Sequence, residues 1–336
     1  MKIWNWHSAA VITAAISVLA AGCSAASGNA ALSSLSRPEE QNITVAALPA
    51  ADLAGLYIAQ DYGYFAQQGL HVTIEKIASS AAVIADRLKG AVDITAGSYV
   101  AYIAAEAAGA RFRILAEASA LRPDTRVLAV SANSPIKSLA DLVGKKIGLN
   151  GTNSIGTLLI SALLDQHGIS PTKVTFVTDQ QGFPAMPAKL ADGAWAAAFL
   201  AEPYFTVAGE QYGERELADL DEGATMNFPI DGYVATQAWA SQHPKTAAAF
   251  VRAIEEGQAL GDSDRAAVEQ AIGKSDNLPH QVTAVMALPA FPVGPVDETP
   301  IQRTAEAMLQ FGLLGKQYTA EVQQGTLVKS MIGAGP

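Results

Sequence analysis

Residues 43–77 read ITVAALPAADLAGLYIAQDYGYFAQQGLHVTIEKI. Ile43 to Leu48 is a short apolar run with β-branched residues, the signature of a buried strand, and Pro49 ends it. Asp52 stands where a helix cap is expected, ahead of Leu53, Leu56 and Tyr57 at helical spacing. Gly69 supplies a left-handed stop, with Leu70 placed to pack back on the helix. Val72 and Ile74 then alternate with Thr73 and Glu75, so the chain re-enters as a strand. A strand–helix–strand unit closes with a right-handed crossover and predicts a parallel sheet. In such sheets ligands bind beyond the carboxyl ends of the strands, here the turn after Leu48.

Outward from this unit the alternation continues. A helix is expected over 81–88, a strand over Val92 to Ala96, and a turn at Gly97-Ser98-Tyr99 leading into a helix. Strands follow at 112–117 and 126–131. Ser134 to Gly148 reads SPIKSLADLVGKKIG, in which Ser138 and Asp141 form a capping box, Gly144 stops the short helix, and Lys145 and Lys146 face solvent near its negative end. A strand at 147–150 runs through Gly151-Thr152-Asn153-Ser154 into a helix to Gln166. The free amides of that first turn are a ready anion site, while ordinary capping by Asn153 or Ser154 explains the same residue types. No Gly-Lys-Ser/Thr follows, so this is not a P-loop. Gly193 to Phe199 parallels the Gly90 segment, and Glu202-Pro203-Tyr204 follows a strand at 197–200. Asp231-Gly232 is expected to turn the chain into a strand at 233–237, and terminal helices are expected over 301–314 and 320–331, packed on the first lobe.

Gly55 to Ile74, the SPIKSLADLVGKKIG segment and Glu202-Pro203-Tyr204 together resemble the solute-binding proteins of the nitrate/sulfonate/taurine and thiamine-precursor type. The likeness covers most of residues 43–260. It implies a type II periplasmic-binding-protein fold: α/β, with two lobes, each built on a mainly parallel sheet, joined by a hinge of two crossings. The expected division is a signal peptide over 1–22, a tether over 23–41, lobe one over 42–128 plus 232–336, and lobe two over 129–231. The resemblance further implies an ABC importer component that closes on a small sulfonate, nitrate-like or amine-bearing ligand. A permease and a separate ATPase would be its partners. It places ligand contacts on the turns at Ser98 and Tyr99, and at Thr152, Asn153 and Ser154. Glu202 is read either as a ligand carboxylate or as a helix cap, and Tyr233 either as a cleft residue or as the edge of the core. Trp195 stands where the family carries Asp. This candidate lining has no Arg or Lys, which argues against a doubly charged anion. A sensor or enzyme on the same fold is the alternative.

The chain has 336 residues, 50% of them hydrophobic and 16% charged, and a formal net charge of −10. Its length favours about two domains, and its acidity argues against nucleic acid as a partner. Ala9 to Ala21 is an apolar stretch behind Lys2, and Leu19-Ala20-Ala21-Gly22-Cys23 resembles a bacterial lipobox. Cys23 is the only cysteine, so no internal disulfide forms and lipidation accounts for it. The expected product is an extracytoplasmic monomer, lipid-anchored to the bacterial cell membrane. The five histidines are scattered and show no metal spacing, no Gly-x-Ser-x-Gly occurs, and one cysteine is too few for the iron motif of related pyrimidine synthases. No cofactor or metal and no catalytic residues are expected.

Overall fold

Asn42–Ala47 (β1) and His71–Lys76 (β2) lie side by side in parallel register, joined through a 3-10 turn at Ala51–Leu53 and helices at Ala54–Asp61 and Tyr64–Gln67. The computed structural model describes residues 37–80, 84 and 90–333. The expected signal peptide, Cys23, most of the tether and nearly all of the helix at 81–88 lie outside the described residues. The single expected helix of the opening unit is two: Gly63 sits at φ 75° between them and breaks the hydrogen-bond ladder. Asp52 does not cap it, since no side-chain cap bond is made at either helical start; a buried cation elsewhere claims its carboxylate.

Two five-stranded sheets carry the chain. The first has the order β2-β1-β3-β10-β4, with β3 at Ile94–Ser98, β4 at Phe112–Ala120 and β10 at Pro229–Thr236. The second has the order β7-β6-β8-β5-β9, with β5 at Arg126–Val130, β6 at Lys146–Leu149, β7 at Thr175–Thr178, β8 at Ala197–Ala201 and β9 at Arg215–Asp219. In each sheet four strands run one way and one runs against them. The reversed strand is β10 in the first sheet and β5 in the second, so each lobe is reversed at the strand that enters from the other.

The passages between sheets are therefore residues 121–125 and 220–228. The lobe boundaries expected after 128 and 231 fall inside β5 and β10, and a strand hydrogen-bonded along its length to one sheet cannot be divided between two. The passages touch: Leu121 N–H donates to the Phe228 carbonyl at 2.9 Å. Asp231 and Gly232, expected as a turn, lie within β10.

Apolar burial follows the layers. One cluster joins β1, Leu56 and Ile58 to Phe250, Ile254, Val268 and Ile272 from the long helices at Pro244–Ser263 and Arg265–Asp276. The other fills the second lobe and extends to the far face of the first sheet, where Ile301, Met308, Val328 and Met331 of the terminal helices pack near Tyr102 and Phe112. Trp195 belongs to this second cluster. Its ring covers Gly148 so closely that a Cβ there would meet it at 2.4 Å, which makes Trp195 a piece of lobe-two core. The Ser138–Asp141 capping box forms as expected.

Candidate functional site

The carboxyl ends of β1, β3 and β6 converge on a cavity between the lobes, lined by Leu48, Ser79, Ser80 and Ser98 on one side and by Asn150 to Ile155 and Phe183 on the other. The cavity is small, about 20 Å³ in volume. The walls thus stand close around the space of one compact group.

Arg126, the first residue of β5, reaches into this cavity with its side chain 1% exposed. Its Nη2 lies 2.9 Å from Asp52 Oδ2 and 3.6 Å from Asp231 Oδ2, and both acids belong to the first lobe. The guanidinium carbon stands 5.3 Å from the centre of the Phe183 ring and 5.5 Å from that of Phe199, within cation–π range. Nε and Nη1 have no hydrogen-bond partner among the described residues. The expectation of a lining without Arg or Lys is thereby corrected. At the head of an apolar strand Arg126 reads as a surface charge, and only the sheet order turns that head inward. The legible signal was the pair of acids, Asp52 and Asp231, each set among apolar or small residues where a lone carboxylate is costly.

Asp52 is held on its other side by the Ser119 hydroxyl, which donates to Oδ1 at 3.1 Å. Asp231 is fully buried, and neither of its oxygens has a hydrogen bond among the described residues. Burial first, then the Asp52 charge, push its pKa up to about 7 against the pull of Arg126. Gly232 is required beside it: the Tyr99 ring lies so near that any Cβ would stand 2.7 Å from it.

The head of the helix at Ile155–Gln166 completes the site. Ser154 is its N-cap residue by backbone geometry, yet its side chain makes no cap bond. Ser154 Oγ and Asn150 Oδ1 are buried without a hydrogen-bond partner among the described residues. Asn153 is in the left-handed region at φ 46°, and Thr152 Oγ1 pairs with Thr178 Oγ1 at 2.8 Å. Opposite, Ser98 caps the helix at Tyr99–Ala107 by accepting from Val100 N–H at 3.2 Å, and its own N–H donates to Ser80 Oγ at 3.1 Å.

Of the residues singled out from sequence, Ser98, Thr152, Asn153 and Ser154 meet on this cavity. Tyr99, Tyr233 and Glu202 do not line it. Tyr99 packs on Gly232, Tyr233 meets the Phe250 ring edge-on at 5.6 Å, and burial holds both phenols well above their usual range. The Glu202 carboxylate accepts from Thr206 N–H at 3.0 Å, Thr206 Oγ1 at 2.9 Å and Ala287 N–H at 3.1 Å. It caps one helix and ties lobe two to a first-lobe segment, and burial pushes its pKa up to about 7. Among the described residues no cluster of three or more His, Cys, Asp and Glu is placed to hold a metal ion. No described helix is long and apolar enough to cross a membrane.

This arrangement of two like sheets, two passages and an interlobe cavity is the type II periplasmic-binding-protein fold. The chain belongs to the NMT1/THI5-like family, whose model matches residues 50–261. The putative aliphatic sulfonates-binding protein of Escherichia coli (strain K12) is 30% identical over 197 residues, which is 58% of this chain and 59% of that relative's length. Among solved structures, the alkanesulfonate-binding protein SsuA from Xanthomonas axonopodis pv. citri bound to MOPS superposes with a TM-score of 0.70 at 18% identity, covering 83% of this chain and 96% of that one. The periplasmic nitrate-binding protein NrtA from Synechocystis PCC 6803 gives a TM-score of 0.71 at 16% identity, covering 88% and 89%.

Proposed function

We propose that this chain is the extracytoplasmic solute-binding component of an ABC importer, taking a small monoanionic oxyanion, a sulfonate before others, between its lobes. The observation that carries this reading is Arg126: a buried cation with Nε and Nη1 unpartnered among the described residues, in one cavity with the uncapped head of the Ile155–Gln166 helix. Buried guanidinium hydrogens and first-turn amides are the groups that hold an oxyanion away from water. The sulfonate named for the Escherichia coli relative and the alkanesulfonate and nitrate named for the structural neighbours fit the same chemistry. Asp52 and Asp231 already offset Arg126, so one further negative charge is accommodated more readily than two.

Ligand bridging the lobes favours the closed form, a population shift about the passages at 121–125 and 220–228. The closed form is what a membrane permease with a separate ATPase would recognise. Cys23 is the proposed lipid attachment point, with the mature protein a monomer outside the cytoplasm. Cys23→Ser should then release the protein from the membrane fraction with its ligand affinity unchanged.

Titration calorimetry of the full chain against ethanesulfonate, taurine, nitrate and sulfate tests the reading. Binding of a sulfonate with sulfate silent is the expected outcome. No heat with any of the four would overturn it.

A further inference from the structure

The site holds more acid than base. Asp52, Arg126 and Asp231 have side chains no more than 3% exposed. With both carboxylates ionised they sum to one negative charge. An anion arriving at Nε and Nη1 of Arg126 makes that two, among side chains that are themselves buried from solvent. Among the described residues no second cation lines the cavity, which leaves two sources of compensating positive charge: a proton on one carboxylate, or an ammonium group on the ligand.

Geometry selects Asp231 as the carboxylate that receives it. Asp52 is held at 2.9 Å by Arg126 and at 3.1 Å by Ser119, and it does not line the cavity. Asp231 lines the cavity, stands 3.6 Å from the guanidinium, and both its oxygens lack a hydrogen bond among the described residues. Among the described residues, the ionisable groups around it are Arg126 from β5, Asp52 from the turn after β1, Tyr99 and Tyr102 from the helix at Tyr99–Ala107, Glu117 from β4 in register with Gly232, and Tyr233 on its own strand. Burial keeps the tyrosines neutral. The Glu117 carboxylate is turned to Asp297 N–H, which donates to it at 2.8 Å. Arg126 is the one cation in this set. The pKa of Asp231, raised to about 7 by burial and Asp52, agrees with a group poised to accept a proton.

We propose that Asp231 sets the charge class of the ligand: a plain sulfonate binds with uptake of one proton from solvent at this carboxylate, whereas an aminosulfonate binds without uptake, its ammonium taking the proton's place. The inference rests on the oxyanion-binding reading above and adds the identity of the counter-charge.

Calorimetry of the full chain at pH 8, in phosphate and in Tris, reads proton exchange from the difference in heat between buffers. Uptake close to one proton is expected for ethanesulfonate and close to none for taurine. Ethanesulfonate affinity should approach a tenfold loss per pH unit, about tenfold between pH 7.5 and 8.5, while that of taurine stays level. Asp231→Asn, a neutral mimic of the acid, should bind ethanesulfonate with no proton exchange and with a flat pH profile, and should lose its hold on taurine. Ethanesulfonate binding to the unaltered chain without net proton uptake would overturn the inference and leave oxyanion binding standing; that measurement needs no variant to fold. Uptake that persists in Asp231→Asn would overturn the assignment to this residue. Absence of any binding would overturn both readings together.

Discussion

Two helices of the second lobe close their first turns differently. At Glu202 the carboxylate accepts from Thr206 N–H and hydroxyl and from Ala287 N–H, so the turn is closed by the chain's own side chain. At Ser154 the hydroxyl makes no cap bond, and Ser154 and Ile155 line the cavity. The first lobe repeats the contrast. The helix after β3 is capped by Ser98, while the turn after β1 has no side-chain cap and sends Asp52 to Arg126 instead. In both lobes the helix that follows the third strand of the plan is closed by a side chain, and the one that follows the first has no side-chain cap. On the cavity itself Arg126, Asn150, Ser154 and Asp231 carry polar atoms without a hydrogen-bond partner among the described residues.

The comparison breaks most visibly at Arg126, which joins the open ends. Arg126→Met leaves Asp52 and Asp231 buried without their cation, and should cost about 3 kcal/mol of unfolding free energy and abolish sulfonate binding. Denaturant titration and calorimetry read the two effects. Arg126→Met combined with Asp52→Asn and Asp231→Asn should recover most of the stability and none of the binding. If binding survives in either variant, the cavity is not the ligand site.

The closed end is tested at Glu202. Glu202→Ala strands the Thr206 and Ala287 amides and should cost about 1–3 kcal/mol. Ligand affinity should stay within about twofold, since the side chain lies off the cavity. Loss of affinity in excess of that would return Glu202 to the site.

Ser154→Ala probes the open end and should give the inverse pattern: stability within about 0.5 kcal/mol of the parent, because no cap bond is lost, and sulfonate affinity weaker by about tenfold. A large stability loss would show that Ser154 caps its helix after all.

The mildest lever is pH. Glu202, Glu214 and Asp231 have pKa values raised by burial to about 7, 8 and 7. A carboxyl group raised in the folded state keeps a proton that the unfolded chain has already released. Stability should therefore fall as pH rises from about 4, where unfolded carboxylates ionise, to about 8. Thermal midpoints across that range check the sign, and Glu202→Gln should shallow the fall.

Much of this was legible. The alternation of 43–77 specified the opening β-α-β unit, and the Ser138–Asp141 box and the polar turn at 152–154 were readable because caps and turns are local chemistry. Three things were not. Arg126 was hidden because nothing at a strand head tells whether it faces water. Asp231-Gly232 reads as a turn pair, but in β10 the glycine admits the Tyr99 ring and the acid meets Arg126 from the other lobe. Glu202 carries the same local signal whether it caps a helix or faces a ligand; the choice lies with Ala287, 85 positions away.

By itself the sequence determined the fold class and the order of elements and singled out the polar helix head at 152–154, because these depend on periodicity and on chemistry within a few residues. Only the tertiary structure decided the charge in the cleft. β5 and β10 each enter a sheet from the opposite lobe, and that crossing brings Arg126 against Asp52 and Asp231 from positions 74 and 105 residues apart in the chain. Electrostatics in a buried site depends on distance in space, which no local pattern of residues encodes.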